Sequence, residues 1–437
     1  MTKPKTMTNL AHKIKLRPNA AQTEMFWQHA GYARYAYNWA WARHKEIRAQ
    51  SYEAKERGDD PIKWPSAFDL NKQFNIYKKT DPDMDWHKDL FQGTAMCSIL
   101  NFGKSVDRWM NKKLRAGAPK KKRKYRRDSF VILYSKQEQE RIIDVEKRRI
   151  YLSKIGWVKM FELPRFSGMI KSIVINKLAD GWYASILIDH DGSMVTAKRE
   201  NQAQNRRALG VDVGIKTLAV CSDGRSYPNP RSEQRYRRKI RMLNKQLDRR
   251  KHGSNRWLVT LKLLRKTYFR MARLREHTHH VATTDIVMRA SSLGIEDLNV
   301  AGMLRNRRIA KALSDASLGG FLHKLEYKSA LYGTKIVSAD RFYPSSKTCS
   351  SCGWKNAALK LSDRSWTCRG CGKRQDRDLN AAINLKRVAV NHSETKNGRG
   401  ERVRPAAASQ AMPNEASTAN ACGEKPNNRG SVQLCLF

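Results

Sequence analysis

Apolar and polar residues alternate through AHKIKLRP. His12, Ile14 and Leu16 share one face, and this period of two predicts a strand. Pro18-Asn19 ends it, and a helix is predicted from about Ala20. The segment QTEMFWQHAGYARYAYNWAWARHKEIRAQ carries its aromatics at helical spacing, with a polar loop over 51–66 and further helix over 67–115. Phe26, Trp27, Tyr35, Trp39 and Trp41 serve there either as core or as platforms for exposed bases. From Phe130 to about His190 the pattern becomes strand-like in FVILY, RRIYLSKIGWVKM, MIKSIVINKL and GWYASILID. Turn signals such as Ala179-Asp180-Gly181 divide the runs, so a small antiparallel β unit is predicted. A second strand-rich region opens at Arg207. Between Ser232 and Arg289 the pattern is helical again, with a stripe of Ile240, Leu243, Leu247, Leu258, Leu261, Leu264, Tyr268 and Met271 and a turn at His252-Gly253-Ser254. After about Val390 large apolar residues become scarce, and residues 391–437 are predicted to be a disordered tail.

Charge narrows the function. The chain has 437 residues, with 86 Lys and Arg against 40 Asp and Glu, a formal net charge of +46. Such a chain repels itself until a polyanion neutralises it. Nucleic acid is the leading partner, because phosphates fix many cations and release counterions; an anionic membrane surface is the rival. No run of about 18 apolar residues predicts a transmembrane helix, and the N-terminal stretch lacks the apolar core of a signal peptide. Eight cysteines are too few for a disulfide scaffold, which points to a reducing, cytoplasmic setting. The basic linker 112–127, KKLRAGAPKKKRKYRR, offers Lys120, Lys121, Lys122 and Arg123 to phosphates; a nuclear localisation signal is the alternative for PKKKRK.

Three carboxylates carry the candidate chemistry. In ALGVDVGIKTLAVCSDGRSY, Leu209, Val211 and Val213 share one strand face, and Gly210, Asp212 and Gly214 share the other. Asp212 is thus expected on a face cleared for a metal ion and a phosphodiester, or else simply in solvent. In ASSLGIEDLNVAGM, Glu296 shares a face with Gly294, and Asp297 points the other way. In QDRDLNAAINLKRVAV, Ala382, Leu385 and Ala389 follow Asp378 at helical offsets, which sets Asp378 on the buried face at a helix N-terminus. Asp376 competes but precedes the stripe, and a capping role for Asp378 is the plainer alternative. Converging, Asp212, Glu296 and Asp378 would hold two divalent ions, Mg²⁺ or Mn²⁺, for phosphodiester hydrolysis.

Cys349, Cys352, Cys368 and Cys371 form C-x2-C-x15-C-x2-C, the spacing of a zinc ribbon, with Gly353 and Gly372 just after each pair. Four cysteine ligands make a closed, structural Zn²⁺ site. His277 and His280, three apart on a helix, read as a polar face.

In this order, GVDVGIKTLAV, a basic helical hairpin, GIEDLNV and YPSSKTCSSCG…CRGCG…DRDLNAAINL resemble the TnpB family of transposon-encoded OrfB proteins, ancestral to type V CRISPR effectors. GYARYAYN, with Gly31, Arg34 and Asn38, resembles the family's opening. The resemblance implies a multidomain α/β chain: an RNase H-like RuvC nuclease with an inserted zinc ribbon, and an oligonucleotide-binding β barrel, the wedge, with an inserted helical recognition domain. On this sequence the wedge takes 1–19 and 116–205, the recognition domain 20–115, the nuclease 206–345 and 376–390 with its hairpin at 232–289, and the ribbon 346–375. It also implies that Asp212, Glu296 and Asp378 are catalytic and that the four cysteines bind zinc. Arg34, Lys216 and Lys347 join the basic linker as expected nucleic-acid contacts. The implied activity is RNA-guided cleavage of double-stranded DNA beside a short adjacent motif. The guide RNA would come from the transposon's end, with no protein partner required. A compact type V effector, a non-cleaving RNA-guided repressor and a DNA-moving transposase are the alternatives. All three acids stand here, which disfavours the repressor, and the transposase's His-hydrophobe-His motif is missing.

Overall fold

The computed structural model describes residues 8–394 apart from 61, 115, 167, 191–205 and 361. The tail predicted over 391–437 lies almost wholly outside the described residues. The chain divides into two compact units, Met1–Gly192 and Ser193–Phe437.

The first unit pairs a helical layer with a sheet. Strand β1 (Thr8–Arg17) leads directly into helix α1 (Ala20–Glu56). The helix starts there because Asn19 and Gln22 cap each other: the Gln22 N–H donates to Asn19 Oδ1 at 2.8 Å, and the Asn19 N–H donates to Gln22 Oε1 at 3.1 Å. It runs six residues past the predicted loop start, because Ser51 and Ala54 still face the interior. Helices α2 (Ala67–Thr80) and α3 (Gly93–Met110) follow. Strands β2 (Ser129–Leu133), β3 (Ile143–Asp144), β4 (Arg149–Leu152), β5 (Gly156–Met160), β6 (Met169–Leu178) and β7 (Gly181–His190) complete the unit. The order is β2-β6-β7-β1-β5-β4-β3, antiparallel at every described pair. Phe130 and Ile132 near one end of that order share a single core with Ile150 and Leu152 near the other, so the sheet curls around one interior. Most of the helix aromatics pack. Phe26 enters the sheet's core, Trp27 meets Trp182 edge-on at 5.1 Å between centroids, and Trp39 lies on Tyr77.

The second unit is a mixed α/β layer structure. Its strands are β8 (Arg207–Val213), β9 (Thr217–Cys221), β10 (Ser226–Pro228), β11 (Ala290–Glu296) and β12 (Lys335–Ala339), in the order β10-β9-β8-β11-β12. The first three are antiparallel, whereas β8, β11 and β12 run parallel. Helices α4 (Ser232–Asp248) and α5 (Asn255–Arg289) form the predicted hairpin between β10 and β11. Its core is Leu243, Leu247, Leu261 and Leu264, with Ile240, Trp257 and Tyr268 beside it. Leu258 departs from the expected stripe: it is half exposed, and Trp257 takes its place against the neighbouring helix. Helices α6 (Arg307–Ala316) and α7 (Leu318–Tyr332) precede β12. The face of β8 and β11 that carries Leu209, Val211, Leu293 and Ile295 packs on Ile286, Phe321 and Leu325. A two-stranded ribbon, β13 (Ser365–Thr367) with β14 (Arg374–Asp376), opens directly into the last helix, α8 (Arg377–Glu394). No described helix is long and apolar enough to cross a membrane.

Candidate active site and metal centre

The glycines of the opposite sheet face have a different task from the one their pattern suggested. Gly210 and Gly294 are paired across β8 and β11. A methyl group at Gly210 would overlap the Ala382 carbonyl and the Lys386 amide, and one at Gly294 would overlap the Leu385 carbonyl. The cleared face is therefore filled by the backbone of α8, and the expectation that Gly210 leaves room for a metal ion and a phosphodiester is corrected. Leu385 and Ala389 sit fully buried there. The same sinking of the helix fixes where its N-terminus, with Asp378, stands relative to the strand ends.

Asp212 and Glu296 occupy equivalent places, each one residue beyond the paired Val211 and Ile295. The Asp212 carboxyl is pushed up to about 7, first by withdrawal from water, then by the charges of Glu296 and Asp378; Arg377 and Arg364 pull it the other way. Two acids distant in sequence thus bear electrostatically on Asp212. Glu296 accepts a hydrogen bond from the Ser345 hydroxyl at 2.5 Å, and Asp378 lies 3.5 Å from the Arg364 guanidinium. Neither Ser345 nor Arg364 has a sequence signal that ties it to these acids. Asp297 points away, as parity requires, and pairs with Arg341 at 2.8 Å. Asp376 caps α8 by accepting the Leu379 N–H at 2.9 Å, which leaves Asp378 free of that duty.

The cysteines are more tightly assembled. Among the described residues, Cys349, Cys352, Cys368 and Cys371 are the one group of three or more His, Cys, Asp or Glu whose ligand atoms all lie within 4.8 Å of one another. Two separations are 3.8 Å (Cys349–Cys371) and 3.5 Å (Cys352–Cys368). Tetrahedral thiolates about 2.3 Å from a zinc ion stand roughly 3.8 Å apart, so the set fits such an ion. Each pair sits on a matching turn. The Gly353 N–H donates to the Cys349 carbonyl and the Gly372 N–H to the Cys368 carbonyl, with φ of 79° and 72° at the two glycines. Ser351 and Gly370 amides point at the first sulfur of their own pair, at 3.4 and 3.3 Å. His277 and His280 lie exposed on α5. Between them in sequence, His279 is buried against the Ala316 carbonyl, and burial lowers its pKa to about 4.

The basic candidates separate by partner. Arg34 is committed to Asp128 at 2.9 Å, and that carboxylate is nearly buried. Asn38 clasps the basic linker by accepting the Lys122 N–H at 2.7 Å and donating to its carbonyl at 3.0 Å. The Trp41 indole donates to the Pro119 carbonyl, and the Lys122 ammonium lies 4.1 Å from the Tyr37 ring centroid. The linker is therefore held against α1, with Lys120, Lys121 and Arg123 displayed to solvent or partly so. Lys216 is exposed after β8, and Lys347 reaches the Ala357 carbonyl at 3.4 Å.

Comparison with known proteins covers these same segments. A family model described as "Probable transposase", OrfB of the IS605 type, matches residues 186–307, which include Asp212, the hairpin and Glu296. A model of the Cas12f1-like TNB domain matches 319–385, which include the four cysteines and Asp378. A "Helix-turn-helix domain" model of the same OrfB type matches 7–53, where the structure has β1 and the unbroken α1. A Streptomyces pristinaespiralis protein is 34% identical over 47% of this chain; the match spans half of that relative's length. A Mycobacterium tuberculosis protein is 28% identical over 97% of both chains, and InsQ of Escherichia coli is 25% identical over 88% of this chain and 92% of its own. The printed name of each is "Putative RNA-guided DNA endonuclease".

Proposed function

We infer that this chain, which belongs to the TnpB family of transposon-encoded OrfB proteins, is an RNA-guided DNA endonuclease. The observation that supports this most directly is the electrostatic pressure on Asp212 from Glu296 and Asp378, acids that come from a parallel strand and a helix far away in sequence. In a chain of net charge +46, such a cluster would repel a phosphate unless cations neutralised it. In this reading the second unit is the RuvC-like nuclease of the RNase H class, and Asp212, Glu296 and Asp378 are its catalytic carboxylates, holding Mg²⁺ or Mn²⁺. Two ions about 3.5–4 Å apart share ligands over a wider span than one ion does. That is consistent with acids less closely gathered than the cysteines. When bound, such ions supply the charge that steadies the attacking and leaving oxygens of an in-line phosphoryl displacement.

The remaining roles follow from the chain's own surfaces. The cysteine set holds Zn²⁺ as a structural site, closed by four protein ligands. The curled sheet of the first unit is the wedge, and its helices are the recognition domain. The clasped linker presents Lys120, Lys121, Lys122 and Arg123 to the phosphates of the guide RNA or its target, joined by Lys216 and Lys347. Arg34, already paired with Asp128, contributes by shaping the helix surface. Target sequence is read by base pairing with the guide, and the protein reads a short adjacent duplex motif.

The test is made on the protein expressed with its native flanking DNA. A defined RNA should co-purify, and sequencing that RNA identifies the guide. With this complex, Asp212→Ala should reduce cleavage by more than the roughly 10–100-fold typical of changes one step removed from a metal, with RNA and DNA binding retained. EDTA should stop cleavage, and Mg²⁺ should restore it. Metal-independent cutting, or loss of binding along with cleavage in Asp212→Ala, would overturn the assignment.

A further inference from the structure

Residues 340–348 link β12 to the first cysteine pair and pass beside Glu296. Ser345 in this loop is 3% exposed. Its hydroxyl donates to Glu296 Oε1. The loop that carries Ser345 is held from below by two asparagines of α8. Asn384 Nδ2 donates to the Ser345 carbonyl at 2.8 Å and to the Thr348 carbonyl at 2.7 Å. Asn380 Nδ2 donates to Thr348 at 2.7 Å, and Asn380 Oδ1 accepts the Ser350 N–H, also at 2.7 Å. Both amides are 1% exposed. They stand four residues apart, on one face of the helix that Asp378 opens.

A buried asparagine that only filled space would leave polar atoms to be satisfied at random. Here both amides meet the same six-residue stretch, 345–350, and the Ser345 hydroxyl on it ends on the carboxylate of Glu296. An ionised carboxylate has about four acceptor positions, so one fixed donor selects which of them remain for a cation. Ser350, at the other end of the stretch, lies between Cys349 and Cys352 and follows the same asparagine.

We propose that Ser345, held in place by Asn380 and Asn384, is a positioning residue for Glu296: it sets the carboxylate in the orientation that holds a divalent ion and ties that orientation to the first cysteine turn. The proposal rests on the reading of Asp212, Glu296 and Asp378 as divalent-ion ligands.

The test titrates Mn²⁺ into the full-length chain, freed of nucleic acid, and follows free Mn²⁺ by electron paramagnetic resonance. Zinc content and melting are measured on every variant. Ser345→Ala should raise the Mn²⁺ half-saturation concentration about tenfold, the low end of what loss of an outer-shell partner costs. Ser345→Thr, which keeps the hydroxyl, should restore it. Asn384→Asp, nearly the same shape but without the two donated bonds, should weaken Mn²⁺ binding in the same direction. Should Ser345→Ala melt early or lose zinc, Ser345→Cys, close in size but a weak donor, decides instead. Unchanged half-saturation in the folded Ser345 variant, or weakening that threonine does not repair, overturns the positioning role. Asp212→Ala separates the two readings. If it binds Mn²⁺ as the native chain does, or if the native chain binds none, the ion-ligand reading fails and this proposal falls with it. If Asp212→Ala loses the ion while the Ser345 variant keeps it, only the positioning role fails.

Discussion

The four cysteines and the three acids are both candidate ligand sets of the second unit, but they are assembled by opposite means. Each cysteine pair sits on a turn closed by its own backbone bonds, and the sulfurs stand within 3.5–3.8 Å across the two pairs. The acids arrive from β8, β11 and α8, and among the described residues their oxygens do not gather into a comparable group. Each cysteine pair is brought together by its own short turn, closed by backbone bonds within a few residues. Carboxylates repel, and only a rigid scaffold holds them near one another: Gly210 and Gly294 let α8 sink onto the sheet, and Asp378 comes with it. The ribbon is therefore a site made by short-range geometry, and the acid cluster is one made by packing against electrostatic resistance.

The largest effect that would break this contrast lies in the ribbon. Cys349→Ser should release the ribbon's metal and unfold it locally, because binding free energy at such a site is also folding free energy. Metal analysis should show zinc lost, and limited proteolysis should cut within 346–376. The sheet, whose core contains none of the cysteine ligands, should keep its melting transition. A ribbon equally protected in the variant would mean that packing of Trp354, Leu359 and Trp366, rather than the metal, holds it together.

The acid cluster should show the reverse behaviour, in which its own carboxylates lower stability. Asp212 in the folded chain keeps its proton up to about pH 7, whereas an unfolded Asp releases it near 4. Between these values the native state binds more protons than the unfolded state, so stability declines as pH rises through that window and levels off above it. In EDTA, the native chain should gain melting temperature relative to Asp212→Asn as the pH is lowered from 8 to 5, a comparison in which the opposite contribution of buried His279 cancels. At pH 8, without divalent ions, Asp212→Asn should be the more stable protein. Equal pH responses of the two would show that Asp212 is well solvated and under no such pressure.

What the sequence disclosed follows the same division between local and distant causes. Strand parity put Leu209 and Val211 opposite Gly210 and Asp212, and the structure keeps that division, because alternation is a property of one strand alone. The cysteine spacing was legible for the same reason, since a CxxC turn closes on itself. Parity could not say what covers the glycine face, so Gly210 was read as a landing place for an ion when it is a landing place for a helix. Period alone also could not choose between Trp257 and Leu258, adjacent residues competing for one hairpin seam; the larger ring won. Ser345 and Asn384 carry no periodic signal at all. Their roles arise only when loop, helix and strand end meet, and that meeting is tertiary.

The finest test separates two neighbouring acids of α8's first turn. Asp376 accepts the Leu379 N–H and so performs the cap, whereas Asp378, among the described residues, makes a long contact with the half-exposed Arg364. Asp376→Ala should therefore cost about 1 kcal/mol, the usual value of a lost N-cap, and lower the melting temperature by about 2–4 °C. Asp378→Ala should leave melting nearly unchanged in EDTA, since an exposed ion pair contributes about 0–1 kcal/mol and the helix dipole a similar small amount. Cleavage should show the opposite ranking, abolished in Asp378→Ala and largely retained in Asp376→Ala. Were the stability loss to fall on Asp378 and the activity loss on Asp376, the offset of four to Ala382 would have picked the wrong carboxylate, and the cluster around Asp212 would have to be redrawn with Asp376 in it.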